Sequence, residues 1–150
     1  MSSRLPHTAA RLAAENLAIL LREPFRAMTD ELMGELAARG HPEVRFAHAS
    51  VFQFLDDDGT GVGMLAERAR VTKEAMAQLV AHLEHHGYLE RVRDPHDRRA
   101  KLVRATDRGR EVFAIARALM ADIDARLSTR LGDAKLRRLR TLLRELDAAL

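Results

Sequence analysis

The stretch DPHDRRAKLVRATDRGRE, from Asp94 to Glu111, decides the fold. Asp94-Pro95 opens it as a turn. Basic residues follow at the tip, and Lys101-Leu102-Val103-Arg104 then alternates polar and apolar like an edge strand. Thr106-Asp107 can N-cap a long helix. On the near side, Tyr88-Leu89-Glu90-Arg91-Val92-Arg93 is also strand-like. Strand, basic loop and strand predict a β-hairpin with a positive tip, and a helix–turn–helix pattern stands immediately before it. Together these elements read as a winged helix that grips DNA.

Working outward, the charge is concentrated here. The chain has 150 residues and a formal net charge of only +3. Yet Arg91, Arg93, Arg98, Arg99, Lys101, Arg104, Arg108 and Arg110 face only Asp94, Asp97 and Asp107 within their own window. A charge run by itself is usually a solvated face; on a hairpin after a helix–turn–helix it is an electrostatic footprint for phosphate.

Upstream, residues Thr8 to about Arg39 read as a long helix, because Leu17, Leu21, Phe25, Met28, Leu32 and Leu36 share one face. Pro24 lacks an N–H for the Leu20 carbonyl, so a kink or break is expected there. Gly40 and Pro42 end the helix. A short helix follows over His48–Leu55 with Val51, Phe52 and Leu55 inward, then a turn at Asp56-Asp57-Asp58-Gly59 and a third helix near Val62–Ala69. Thr72 caps a fourth helix that stops at Gly87, with Met76, Leu79, Val80 and Leu83 as its core face. Beyond the hairpin, one helix runs from Asp107 to about Leu131, carrying Val112, Ala116, Leu119, Ile123 and Leu127. Another runs from Asp133 to Leu150, carrying Leu136, Leu139, Leu143, Leu146 and Leu150. These stripes exceed what a small lobe covers, and helices at both ends with unspent apolar faces suggest a homodimer. The fold class expected is mainly α: a winged helix-turn-helix lobe with a two-stranded β-wing, plus long N- and C-terminal helices forming a dimerisation base. The whole chain, 1–150, is expected to be one domain, with the DNA-binding lobe at about 48–106 and dimerisation helices at about 8–40 and 107–150.

The hairpin also carries a resemblance. Asp97-Arg98-Arg99, then Ala100 to Arg104, then Ala105-Thr106-Asp107-Arg108-Gly109 resembles the wing signature of the MarR family of bacterial regulators. The one departure is Ala105, where the family usually has Leu. The likeness continues upstream through Leu65 to Ala69, Val71-Thr72-Lys73 and Leu83 to Arg91. It implies a winged-helix homodimer that binds double-stranded DNA at a palindromic operator, as a repressor. It also implies a small aromatic or anionic effector in a crevice between the helical base and the DNA-binding lobe.

On this reading the fourth helix enters the major groove, where Lys can donate to guanine and Gln can bond adenine. Its outer face is expected to be Lys73, Glu74, Ala77, Gln78, Ala81 and His82, with Thr72 at its start. Relatives commonly carry Ser or Thr followed by Arg where this chain has Ala77-Gln78, so one hydroxyl and one strong donor are missing. Arg98 and Arg99 are the candidates for the minor groove, whose negative potential attracts arginine. Asp97, an anion among phosphates, is expected to orient Arg99 by a charge-assisted hydrogen bond. For the effector, Arg22, Arg26 and His48 are candidates to hold a carboxylate or phenolate, and Phe25 with Phe52 to contact a ring. The rival reading is a winged helix used for protein–protein contact, which Glu74 and Ala77 on the reading face favour.

Other chemistries find little support. Asp56-x-Asp58-x-Thr60-Gly61 and Glu67 partly match a calcium loop, but Thr60 and Gly63 stand where the pattern wants other residues and no second loop exists. The segment reads as an acidic turn. Gly59-x-Gly61-x-Gly63 lacks the Lys and the βαβ setting of a phosphate loop. His82 and His86 have a zinc-compatible spacing without a convincing set of further ligands, so neither metal nor cofactor is expected. No catalytic arrangement emerges, and an enzyme is not expected. The chain has no Cys, which excludes disulfides and thiol redox sensing. No apolar run approaches the roughly 18 residues of a membrane span, and the expected location is the cytoplasm.

Overall fold

The structure, a computed structural model, describes residues 16–150. The part of the first expected helix before Asn16 lies outside the described residues. Helix α1 spans Leu17–Ala38 and is capped by Asn16, whose Oδ1 accepts from the Ala18 N–H at 2.9 Å. It runs unbroken through Pro24, so the break that the sequence allowed there does not occur. The physical reason is placement. Pro24 removes a single intrahelical bond, and Leu20, whose carbonyl loses it, sits on a solvent-facing stretch where water can replace the donor.

A 3₁₀ turn at Phe46–His48 leads into α2, Ala49–Phe54. Helix α3 spans Val62–Ala69 and α4 spans Lys73–His85. Strands β1, Leu89–Arg93, and β2, Lys101–Ala105, pair antiparallel in a register that sets Leu89 against Ala105 and Arg93 against Lys101. Helices α5, Asp107–Leu131, and α6, Asp133–Ala149, complete the chain. This is the mainly helical architecture with a two-stranded antiparallel sheet that the sequence leads one to expect.

The core sits inside the lobe, where Leu36, Val51, Leu65, Met76, Val80, Leu83, Tyr88 and Val103 are fully buried. Helix α4 faces it with Met76, Val80 and Leu83, and cutting Met76 or Leu83 back to Ala would cost about 2–5 kcal/mol. The two terminal helices behave differently. Leu17, Leu20, Leu21 and Phe25 of α1 and Leu139, Leu142 and Leu143 of α6 are exposed, and in α6 only Leu136 is buried. Of the first helix's expected stripe, only Leu36 reaches full burial. Ile123 of α5 and Leu136 of α6 are buried in the base, and surface ion pairs Arg126–Glu31 at 2.5 Å and Arg140–Asp124 at 2.8 Å cross between its helices. Among the described residues, no helix is long and apolar enough to cross a membrane.

Candidate nucleic-acid interface

The helix–turn–helix is built by α3 and α4. Arg70 closes α3 in the left-handed conformation, φ +54°. Thr72 then starts α4, its Oγ1 accepting from the Ala75 N–H at 3.1 Å. With Met76, Val80 and Leu83 inward, the exposed face of α4 is Lys73, Glu74, Ala75, Gln78, Ala81 and His85. That face differs from the expected one at two places. Ala77 is half-buried, and His82 turns inward, where its Nε2–H donates to the Glu43 carbonyl at 3.0 Å. His82 is corrected from a DNA contact to an internal tie. It lies on the border of the buried stripe, half-buried, and there its ring finds a carbonyl partner.

The wing tip is a closed loop. The Asp94 N–H donates to the Ala100 carbonyl at 3.1 Å, and the Ala100 N–H donates to the Asp97 carbonyl at 3.0 Å. Two aspartates shape what lies between: Asp94 Oδ1 accepts from the His96 N–H at 2.8 Å, and Asp97 Oδ1 accepts from the Arg99 N–H at 3.0 Å. Asp97 therefore reaches Arg99 through its backbone amide. The guanidinium itself is left outward.

The electrostatics separate into two groups. Glu84 holds Arg91 at 2.9 Å, Glu90 holds Arg104 at 2.6 Å, Glu43 holds Arg108 at 3.3 Å, and Asp107 holds Arg110. Arg93, Arg98, Arg99 and Lys101 are exposed and have no acidic partner among the described residues. The four unpaired cations are the ones nearest the tip. Most of the acids that neutralise the others come from outside the basic window, which the sequence alone did not reveal.

Two glycines fix the wing against the lobe. A Cβ on Gly109 would lie 2.2 Å from the Tyr88 carbonyl oxygen, so the start of α5 approaches the wing root as only glycine permits. Thr106 locks the same joint, accepting from the Gly109 N–H at 3.2 Å and donating to the Gly87 carbonyl at 2.6 Å. Gly59, at φ +106°, lets the chain turn against Leu102. The next residue, Thr60, exchanges two backbone hydrogen bonds with Val103, at 2.8 and 2.9 Å, adding a one-residue third strand to the hairpin. Its hydroxyl donates to Asp56 at 3.1 Å, and Arg68 donates to the same carboxylate at 2.9 Å. These bonds hold the Asp56 carboxyl below its usual range, the Arg68 bond most of all. Asp56 and Thr60 are thus consumed by structure, and no acidic or histidine group suited to a metal ion occurs among the described residues.

The candidate effector residues separate as well. Arg22, Phe25 and Arg26 line one cleft of about 320 Å³ together with Phe46 and Met33. The Phe25 and Phe46 rings meet edge to face at 5.6 Å. Arg22 pairs with Glu23 and Arg26 with Asp30 on the same exposed surface. His48 is not part of this cleft. It is buried, its Nδ1 accepts from the Arg45 N–H at 2.9 Å, and its ring stacks on His82 at 4.6 Å. Burial, with His82 beside it, pushes its pKa down to about 4. The correction to His48 is physical: a ring nitrogen that caps a backbone turn is not free for a ligand. Phe52 packs on Phe113 at 5.2 Å in the core and is likewise removed from the cleft. Phe46, which replaces it, gave no signal in the sequence because it lies in a 3₁₀ turn with no readable period.

The chain was then compared with known proteins. A model of the MarR family matches residues 44–100, which span the helix–turn–helix and the tip of the wing. The transcriptional regulator HosA of Escherichia coli O111:H- is 29% identical over 112 residues, covering 75% of this chain and 80% of that protein. Among solved structures, the transcriptional repressor CouR, bound to a 23-mer DNA duplex, is 25% identical with a TM-score of 0.71, covering 97% of this chain and 99% of its own. The transcriptional regulator Tm0710 of Thermotoga maritima is 27% identical with a TM-score of 0.59, covering 87% of this chain and 90% of its own. These relatives are regulators, a class without catalytic activity of its own. The family match spans the helix–turn–helix and the wing tip described above, and in sequence and fold the chain is similar to the MarR family of winged-helix transcriptional regulators.

Proposed function

We propose that this regulator represses transcription as a homodimer, reading a palindromic operator with α4 in the major groove and Arg98 and Arg99 in the flanking minor groove. The observation that carries this is the sorting of charge. Nearby arginines are neutralised from within, while Arg93, Arg98, Arg99 and Lys101 are left unpaired at the wing tip. Unpaired cations held together on a rigid hairpin suit phosphate and a narrow groove. Lys73 and Gln78 are the base-reading candidates, and Thr72 contributes by starting their helix. That CouR, a similar repressor, binds a DNA duplex supports DNA as the partner.

The homodimer is supported by Leu20 and Leu21 of α1 and Leu139 and Leu143 of α6, exposed leucines that with Phe25 line an apolar groove of about 880 Å³. A second copy supplies the complementary face. The effector is a small aromatic anion seated on Phe25 and Phe46 with Arg22 and Arg26 beside it. It acts only in so far as it binds one spacing of the two lobes better than the other.

A mobility shift with the duplex upstream of the protein's own gene, run across salt concentrations, tests the reading. Specific binding that weakens steeply with salt is expected. A protein that shifts no DNA would favour the rival use of the lobe for protein contact, which Glu74 and Ala75 on the face of α4 would then serve.

A further inference from the structure

Glu43 lies on the connector between α1 and the lobe, and four other side chains converge on it. The Tyr88 hydroxyl donates to its Oε2 at 2.7 Å, and Arg108 Nη2 reaches the same oxygen at 3.3 Å. His86 Nδ1 stands 4.0 Å from its Oε1. Its carbonyl receives the His82 bond from the middle of α4. Arg108 extends the joint, donating to the Gly40 carbonyl at the end of α1 at 3.1 Å and to the Tyr88 hydroxyl at 3.0 Å, with its guanidinium 4.6 Å from the Tyr88 ring centre. The carboxyl is held below its usual range chiefly by the Tyr88 bond, so it is an anion here. The elements joined are the end of α1, the recognition helix, the wing root and the start of α5. The wing root and the start of α5 meet at the Glu43 carboxylate, α4 meets the same residue at its main-chain carbonyl, and Arg108 carries the joint on to α1.

We infer that Glu43 is a positioning residue that fixes the angle of the recognition helix against the helical base. It touches no DNA, and its carboxylate acts through Tyr88 and Arg108, with His86 beside it. A hydrogen-bonded network of this kind has a discrete made and unmade arrangement. Breaking it leaves the fold in place and frees α4 to swivel on its apolar core. Loss of the latch therefore costs the contacts that need a set geometry, which are those to base edges, and spares contacts to phosphate, which tolerate tilt.

This inference rests on the DNA-binding reading, and the test keeps the two apart. Wild-type protein first selects a sequence from a pool of random duplexes. Affinity for that duplex and for an unrelated one of equal length is then measured by fluorescence anisotropy at several salt concentrations. The variants are Glu43→Ala, Glu43→Gln and Tyr88→Phe, with thermal midpoints recorded alongside. Tyr88→Phe keeps the buried ring and removes only the hydroxyl, so it reports even where Glu43→Ala fails to fold. Glu43→Ala and Tyr88→Phe should each lose about tenfold or more on the selected duplex. The unrelated duplex and the salt slope should stay as in wild type, and Glu43→Gln, which still accepts from Tyr88, should recover part of the loss. Equal loss on both duplexes, or a lower thermal midpoint with an unchanged ratio between them, would make Glu43 a merely structural residue and overturn the inference. Failure of the wild type to select any sequence would overturn the DNA-binding reading itself.

Discussion

At Arg99 the proposal is most exposed to test, because its guanidinium has no acid partner among the described residues while its backbone amide is fixed by Asp97. Arg99→Ala should weaken operator binding by about 1–3 kcal/mol, as for a specific base contact. Arg98→Ala should do less if it meets only phosphate, and Asp97→Ala should weaken binding by loosening the tip; titration of each variant against one operator decides. Gly109 offers a separate test of the joint. Gly109→Ala pushes a methyl group into the Tyr88 carbonyl, 2.2 Å away, and should destabilise the protein by about 1–3 kcal/mol, measured as a drop in thermal midpoint. His48 makes stability depend on pH. Its folded pKa of about 4 is below the unfolded 6.5, so the unfolded chain binds the proton more readily. The stability it contributes is complete above the unfolded pKa and is lost as pH falls through that window toward 4. Thermal midpoints recorded between pH 7.5 and 4.5 should decline, and His48→Gln should flatten that decline.

Among the elements, α4 should decide which sequence is preferred. Gln78→Ala and Lys73→Ala should change the base preference recovered in a duplex selection rather than lower affinity evenly, since base contacts specify and phosphate contacts position. Much at this scale was legible beforehand. Helices α4 and α5 begin where their caps say, because Thr72 and Thr106 act on local backbone. The wing was legible too, since alternation in Lys101–Arg104 and the turn at Asp94-Pro95 are local signals. The one-residue strand at Thr60 was not, because a single residue carries no period. The inward turn of His82 was missed because a helical wheel cannot say which border residue finds a partner. Its partner, the Glu43 carbonyl, lies 39 residues away in sequence. The Glu43–Arg108 pair spans 65 residues, and no local pattern announces it. At Pro24 the helix continues, so of the two outcomes that the local rule allowed the break is set aside.

The whole molecule has two parts of different character: a winged-helix lobe with a closed core, and a helical base whose leucines face outward. Leu139→Asp or Leu143→Asp would place a charge in the proposed interface and should dissociate the dimer or unfold it, read by sedimentation velocity. A well-folded wild-type monomer at micromolar concentration would remove the base from the account. If the dimer forms, its two recognition helices read the same face of the duplex, and the half-sites lie about 10 base pairs apart or at a multiple of that spacing. The most direct measurement is a hydroxyl-radical footprint of wild type and Arg99→Ala on the same selected operator. The account predicts two symmetric blocks of protection at that spacing, with flanking minor-groove protection that disappears in Arg99→Ala. A single asymmetric block, or flanking protection that Arg99→Ala leaves intact, would contradict it.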